Sequence, residues 1–173
     1  TWVHANDDPY LPSRYATVYL TPFLQGPEKW MSVSTCQTAE FNDMVIFGEV
    51  LGEAIRRSDR RVVIVASGAL SHKFWPLSQL RQHEGADPAD VISPEHRAAD
   101  ERTIQWLEAG DHAAVLADYP DFRQYAPEGR FAHYVIMATA QGGASWNSPG
   151  VPYSDYENAA GTGQIHMWFP GAG

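Results

Sequence analysis

The hydrophobic and polar positions of this chain follow two different periodicities, which predicts a protein of mixed helices and strands. Helical spacing is clearest at residues 39–58, where apolar side chains recur every three or four positions at Phe41, Met44, Val45, Phe47, Val50, Leu51 and Ile55. Thr38 is the expected N-cap of this helix, and Arg56 with Arg57 suits the negative end of its dipole.

Three segments before and after this helix have the character of β-strands. Residues 61–66, RVVIVA, form a β-branched run that is typical of a buried interior strand. Residues 30–36 alternate, and residues 15–23 are rich in β-formers up to Pro22. A strand, a helix and a second strand in succession predict a right-handed crossover between parallel strands. The expected fold class is therefore α/β, with a mixed, mostly parallel central sheet flanked by helices.

The second half of the chain predicts three further helices and two short β-like pieces. The first helix is bounded by Ser93 as N-cap, by Pro94 in its first turn and by Gly110 as its stop, so it covers residues 95–109. The remaining predicted elements are helices at residues 112–117 and 128–140 and β-like pieces at residues 153–157 and 163–169.

Composition narrows the class of protein. The 173 residues suit one domain, and no apolar run approaches the ~18 residues of a membrane span. The net charge of −9 argues against a nucleic-acid partner, which favours a basic face. The only cysteine, Cys36, excludes an internal disulfide and a cysteine-based zinc site. We therefore expect a cytoplasmic protein with neither a membrane nor a nucleic acid as its partner.

Residues 62–74 form the first segment with candidate chemistry. The predicted strand ends in a loop of small residues that delivers Ser71 and His72. Ligands of open α/β sheets bind beyond the carboxyl ends of strands, and an imidazole there is suited to acid–base catalysis. A surface or capping histidine fits the same pattern, so both interpretations stay open from these residues alone.

Residues 127–134, PEGRFAHY, form the second segment. Glu128 and His133 lie near the start of a predicted helix, where a carboxylate either stabilises the helix dipole or binds a metal.

In the third segment, the glycines at 161 and 163 predict a tight turn, because they lack the spacing of a nucleotide-binding loop. Three other histidines are expected to be solvated, at His83, His96 and His112.

These three segments resemble, in matching order, the catalytic subunit of the class III extradiol dioxygenases, the protocatechuate 4,5-dioxygenase type. The resemblance rests on SGALSH at residues 67–72, EGRFAHY at residues 128–134 and GTGQIHMWF at residues 161–169. It is nearest to the catechol-cleaving branch, that of the 3,4-dihydroxyphenylacetate 2,3-dioxygenases. The first segment is the most specific of the three, and the other two gain weight by accompanying it.

The resemblance implies an iron(II) cofactor held by two histidines and one glutamate. Glu128 matches the glutamate, and His72 matches the histidine that handles protons without binding the metal. The family's two iron-binding histidines belong to an N-terminal segment that has no counterpart here; His4 is the only histidine before His72. The chain is thus interpreted as a single domain, residues 1–173, forming the C-terminal part of such a subunit. Ser71, His133 and His4 remain candidates for places near the metal or the substrate.

The activity that the resemblance implies is cleavage of a catechol-type ring by O2 to a muconic semialdehyde. The substrate is an aromatic diol similar to 3,4-dihydroxyphenylacetate, or a 2-aminophenol. The expected partners are copies of the chain or the segment that carries the missing metal histidines. Two alternatives stay open: a non-catalytic paralogue or partner subunit, and a metal-dependent hydrolase that uses Glu128, His133 and His72. From the dioxygenase interpretation we predict that the carboxylate of Glu128 lies in the same cavity as the side chain of His72.

Overall fold

Helices dominate the described part of the chain, and its strands are short. The computed structural model describes residues 19–20, 22–23, 26–34, 36 and 38–171. The helices are α1 (Phe41–Arg57), α2 (Pro94–Ala109), α3 (His112–Phe122) and α4 (Ala132–Ala140). The strands are β1 (Val151–Pro152), β2 (Glu157–Ala159), β3 (Thr162–Gln164) and β4 (Met167–Trp168). Strand β1 pairs antiparallel with β4, and β2 pairs antiparallel with β3. The expected mixture of helices and strands is confirmed.

Helix α4 forms the centre of the hydrophobic core. All of its residues except His133 are buried. A helix that is apolar on every side has to be surrounded by other elements. Helix α1 packs along it, and Phe122 at the end of α3 contributes one of the largest fully buried side chains.

Two glycines let α1 approach α4 closely. A methyl group at Gly52 would overlap the backbone of Ala140, and one at Gly48 would overlap the side chain of Thr139. Both glycines are buried in the interior of α1, where glycine ordinarily weakens a helix relative to alanine. The contact with α4 therefore explains why small residues occupy these positions.

Replacing Gly52 by alanine is expected to destabilise the protein, although the same change in an exposed helix is stabilising by up to ~1 kcal/mol. The added methyl group has to displace the backbone of α4, and overpacking of this kind costs roughly 1–3 kcal/mol. Urea unfolding followed by circular dichroism measures the difference in the free energy of unfolding. Val50→Ala, on the exposed face of the same helix, is the matched control and should change this free energy little. A gain in stability for Gly52→Ala would show that the two helices are not in close contact.

Local capping chemistry places α2 where the sequence predicts it. The hydroxyl of Ser93 accepts a hydrogen bond from the backbone N–H of His96, and Pro94 occupies the first turn. Gly110 ends the helix in the left-handed conformation, with φ of 72°. Helix α3 continues beyond the predicted end at residue 117, through Pro120, to Phe122. Its last turn buries the side chains of Tyr119 and Phe122, which outweighs the disruptive proline.

Helix α1 begins two residues later than predicted. Glu40, rather than Thr38, is its N-cap, and it forms a capping box with Asp43. Of the β-rich residues 15–23, residues 15–18 and 21 lie outside the described part of the chain; Tyr19 and Leu20 are helical, and Pro22 and Phe23 form a turn. Among the described residues, no helix combines the length and the apolarity that crossing a membrane requires.

The mostly parallel central sheet is not present in the described part of the chain, where both sheets are antiparallel. Residues 61–66 were expected to be an interior strand, and this prediction is wrong: they form neither helix nor strand. Val62, Val63 and Val65 are exposed, and no backbone hydrogen bond between described residues involves residues 61–69. The described residues of 30–36 form no strand either. A β-branched run sets a preference, but a strand also needs a neighbour to which its backbone can bond.

Candidate active site

The loop that carries His72 is joined to the hairpin between β2 and β3. The N–H of Leu70 donates to the carbonyl of Gly163 at 2.8 Å, and the N–H of Gly163 donates to the carbonyl of Ser71 at 3.0 Å. His72 and Thr162 face each other in an antiparallel bridge. The first and third segments singled out in the sequence are therefore neighbours in space, although 90 positions separate His72 from Thr162.

The second segment closes the other side of this loop. The N–H of His72 donates to the carbonyl of Tyr125 at 3.0 Å, and the N–H of Glu128 donates to the carbonyl of Leu70 at 3.4 Å. His72 and Glu128 are both partly buried, with side chains close enough to interact electrostatically. The structure thus brings the two principal candidate residues together.

Burial and charge act on His72 in opposite directions. Partial burial lowers the pKa of its imidazole below the ordinary value, and the nearby carboxylate of Glu128 opposes this effect. The lowered pKa favours the neutral ring at neutral pH, and a neutral imidazole is able to accept a proton. The ring also contacts that of Phe74, with centroids 4.3 Å apart.

His133 contacts Glu128 and the loop that precedes His72. Its ring hydrogen-bonds to the backbone carbonyl of Glu128, and burial lowers its pKa to about 4. The ring also packs directly over Gly68, where a methyl group would overlap it. His133 therefore supports the backbone of Glu128 and of the loop before His72.

The predicted helix at residues 128–140 is correct only from Ala132 onward. Gly129, Arg130 and Phe131 all have left-handed backbone conformations, with φ of 57°, 57° and 61°. This turn costs energy at the two residues that are not glycine. Burial of Phe131, which is 2% exposed and stacks on Tyr134, stabilises the turn. Glu128 is consequently held outside the regular helix, where its position does not depend on helical geometry.

The buried carboxylate of Asp100 anchors the loop that carries His72. Asp100 of α2 accepts hydrogen bonds from the N–H of Ser71 at 2.8 Å, from its hydroxyl at 2.6 Å and from the hydroxyl of Tyr156 at 2.7 Å. Neither Asp100 nor Tyr156 was predicted from the sequence. One pattern pointed to Asp100: it interrupts the buried stripe of α2 that contains Thr103, Ile104 and Leu107.

The expectation that three other histidines are solvated is wrong for His112. Its ring is fully buried, stacks on Trp146 with centroids 3.7 Å apart, and hydrogen-bonds to Tyr134 and to the carbonyl of Ser148. Both ring nitrogens have partners, so its role is structural. His83 and His96 are partly buried, His83 against the ring of Trp75 and His96 against that of Tyr125. His4 lies outside the described residues.

The buried His112 predicts a loss of stability in mild acid. Burial lowers its pKa in the folded protein, so the unfolded chain binds more protons below the ordinary imidazole pKa of about 6.5. Stability should therefore be fully present above that pH and decrease as the pH falls from 7.5 to 5.5, as measured by urea unfolding. His72, His96 and His133 shift in the same direction and add to the effect. In His112→Gln the slope should be shallower, and an unchanged slope would contradict the assignment.

The described residues do not form a complete metal site. No three histidine, cysteine, aspartate or glutamate side chains among them are grouped so as to bind one ion. A surface groove of about 660 Å³ lies elsewhere, between α1, α3 and residues 142–145, and shares no residue with this site. The described part of the chain thus offers the carboxylate of Glu128 and, near it, the imidazoles of His72 and His133.

Comparison with known proteins gives a match to a family and a match to a curated protein. A family described as the catalytic LigB subunit of aromatic ring-opening dioxygenase matches residues 19–167. A protein of Escherichia coli named 3,4-dihydroxyphenylacetate 2,3-dioxygenase is 27% identical over 136 residues, which is 77% of this chain and 48% of the relative. The chain therefore spans about half the length of the curated relative that it matches.

Proposed function

The chain belongs to the family of the catalytic LigB subunit of aromatic ring-opening dioxygenases, and from this membership we propose that it is part of an extradiol dioxygenase. The proposed reaction opens a catechol-type ring beside its two hydroxyl groups. Both atoms of O2 enter the product, a muconic semialdehyde. A catechol with an acidic side chain, such as 3,4-dihydroxyphenylacetate, is the favoured substrate because of the relative's name, and a 2-aminophenol is a second candidate.

The pairing of His72 with Glu128 supports this proposal most strongly. The loop of His72 is bonded to the β2–β3 hairpin, to Tyr125 and to the backbone of Glu128. Such an arrangement fixes the backbone that carries an imidazole next to the backbone that carries a carboxylate. A preorganised acid–base group is what a reaction that removes and returns a substrate proton requires.

In the proposed reaction, His72 accepts the proton of a substrate hydroxyl. The lowered pKa of its ring keeps it neutral and ready for this step at neutral pH. The protonated ring then interacts favourably with the carboxylate of Glu128. When the ring opens, His72 returns the proton to an oxygen atom of the product.

Iron(II), when bound, would lower the pKa of the catechol hydroxyls and make O2 reactive toward the ring. Glu128 is the proposed ligand from this chain. Two further ligands are needed for a site with two histidines and one carboxylate, and the described residues do not supply them. We assign them to polypeptide outside the described residues, which makes assembly with that polypeptide part of the proposal.

The test is oxygen consumption with a catechol. The complete polypeptide, loaded with Fe(II) under argon, should consume one O2 per molecule of 3,4-dihydroxyphenylacetate and form a yellow semialdehyde. Mass spectrometry after reaction with ¹⁸O2 should find both labelled atoms in the product. Formation of a colourless dicarboxylic acid, or no oxygen consumption with catechols and 2-aminophenols, would refute the proposal.

The absence of a complete metal site among the described residues favours one alternative, a non-catalytic paralogue or partner subunit. Such a protein would keep the fold and its contacts with a catalytic chain, yet bind no iron itself. Metal analysis separates the two possibilities: the alternative predicts no iron in the complete natural polypeptide and unchanged turnover of its partner when His72 is replaced.

A further inference from the structure

Asp100 is a charged group in an unusual position. Its side chain is fully buried, and no ion pair among the described residues includes it. Burial raises its pKa, while hydrogen bonds from Ser71 and Tyr156 favour the ionised form. Removing a carboxylate from water costs several kcal/mol. A hydrophobic side chain would fill this place in α2 at a lower cost, so the carboxylate has a use beyond filling the core.

The hydrogen bonds of Asp100 all serve the loop of His72 and its supporting hairpin. One carboxylate oxygen accepts from the backbone of Ser71, and the other accepts from the hydroxyls of Ser71 and Tyr156. Ser71 is itself fully buried, so its N–H has no access to water if Asp100 is lost. An unsatisfied buried donor is costly, and the loop would have to move to satisfy it.

The hairpin is fitted around the same carboxylate. Gly163 lies against it, and a methyl group at this position would overlap the carboxylate of Asp100. Tyr156, which directly precedes β2, brings its hydroxyl to the same oxygen. Asp100 therefore lies where α2, the loop of residues 70–73 and the β2–β3 hairpin meet.

We infer that Asp100 is a positioning residue: through Ser71 and Tyr156 it fixes the loop that presents His72 to Glu128. This inference rests on the proposed function, because it assigns His72 the proton transfers. A purely structural carboxylate would stabilise the whole fold equally. A positioning carboxylate restrains the loop more than the rest of the molecule and affects turnover more than substrate binding.

Native-state hydrogen exchange in Asp100→Asn tests whether Asp100 restrains the His72 loop more than the rest of the molecule. The amides of Leu70, Ser71 and His72 should exchange about 10- to 100-fold faster than in the parent protein, because the loop opens locally. The amides of α4 should change much less. Tyr156→Phe, which removes one hydrogen bond and keeps the ring, should give a smaller effect in the same direction and serves if Asp100→Asn fails to fold.

Asp118→Asn is the matched control. Asp118 pairs with Arg102 at 3.0 Å and ties α3 to α2, whereas the described hydrogen bonds of the His72 loop do not include it. Its loss should leave the relative exchange of the loop and α4 unchanged. Equal acceleration at the loop and at α4 in Asp100→Asn would overturn the inference, since it is the result expected for a structural role.

Steady-state kinetics of the iron-loaded complete polypeptide test whether Asp100 affects turnover more than substrate binding. Asp100→Asn should lower kcat at least about tenfold with little change in KM, because substrate binding does not involve the loop anchor. Local exchange without a fall in kcat would also overturn the inference. If the parent protein cleaves no catechol or aminophenol, the proposed function fails, while the exchange data still decide whether Asp100 anchors the loop.

Discussion

Replacement of His72 by asparagine is expected to slow ring cleavage by about 10²- to 10⁴-fold, the usual contribution of a positioned general acid–base. Asparagine lacks a group that exchanges a proton near neutral pH, so the substrate hydroxyl loses its acceptor. Iron should stay bound, because His72 is not one of the proposed ligands. The fall should appear mainly in kcat, since the proton transfers belong to the chemical steps.

His166→Asn is the matched control for this variant. His166 is exposed and lies outside the contacts that hold the His72 loop. Its replacement should leave turnover and iron content within about twofold of the parent enzyme, as surface substitutions usually do. Normal turnover in His72→Asn would remove this histidine from the proposed mechanism.

Replacement of Glu128 by alanine is expected to empty the metal site. A metal held by two histidines and one carboxylate loses a third of its protein ligands, together with the only negative charge among them. Iron content after dialysis, measured by atomic emission, should fall to a small fraction of that in the parent enzyme, and turnover should fall with it. Glu108→Ala, at an exposed position of α2, should retain its iron.

The two variants together separate the ligand from the proton carrier. An iron site that is empty in His72→Asn but full in Glu128→Ala would show that the two assignments are reversed. Full iron and full activity in both would mean that the site lies elsewhere in the family fold.

Short-range chemistry was predictable from the sequence. The cap of α2 depends on Ser93, Pro94 and Gly110, which act on their immediate neighbours and therefore need no tertiary information. The closeness of His72 and Glu128 also agrees with the expectation that the resemblance provided. These two residues are distant in sequence, and only the family pattern made their proximity foreseeable; the contact of residues 161–163 with the His72 loop was not predicted.

Features that depend on remote partners were not predictable. Asp100 reaches Ser71 across 29 positions; its place in the apolar stripe of α2 marks it as unusual, but the local sequence does not show which residue it anchors. The left-handed turn at residues 129–131 is stabilised by burial of Phe131 rather than by a run of glycines, so PEGRFAHY looked like the start of a helix. The strand predicted at residues 61–66 is absent because a strand also depends on a remote partner. The β-branched pattern favours a strand, but no described residue pairs with this segment.

The exposed valines of residues 62–65 are expected to make the protein prone to aggregation. An apolar, β-branched stretch whose backbone forms no hydrogen bond with the other described residues is a template for intermolecular sheet formation and aggregation. Arg60 and Arg61 precede it and act as gatekeepers at one end only. Val63 is the most exposed of the three valines. Val63→Lys should therefore slow aggregation of concentrated samples, and it leaves the residues around His72 unchanged.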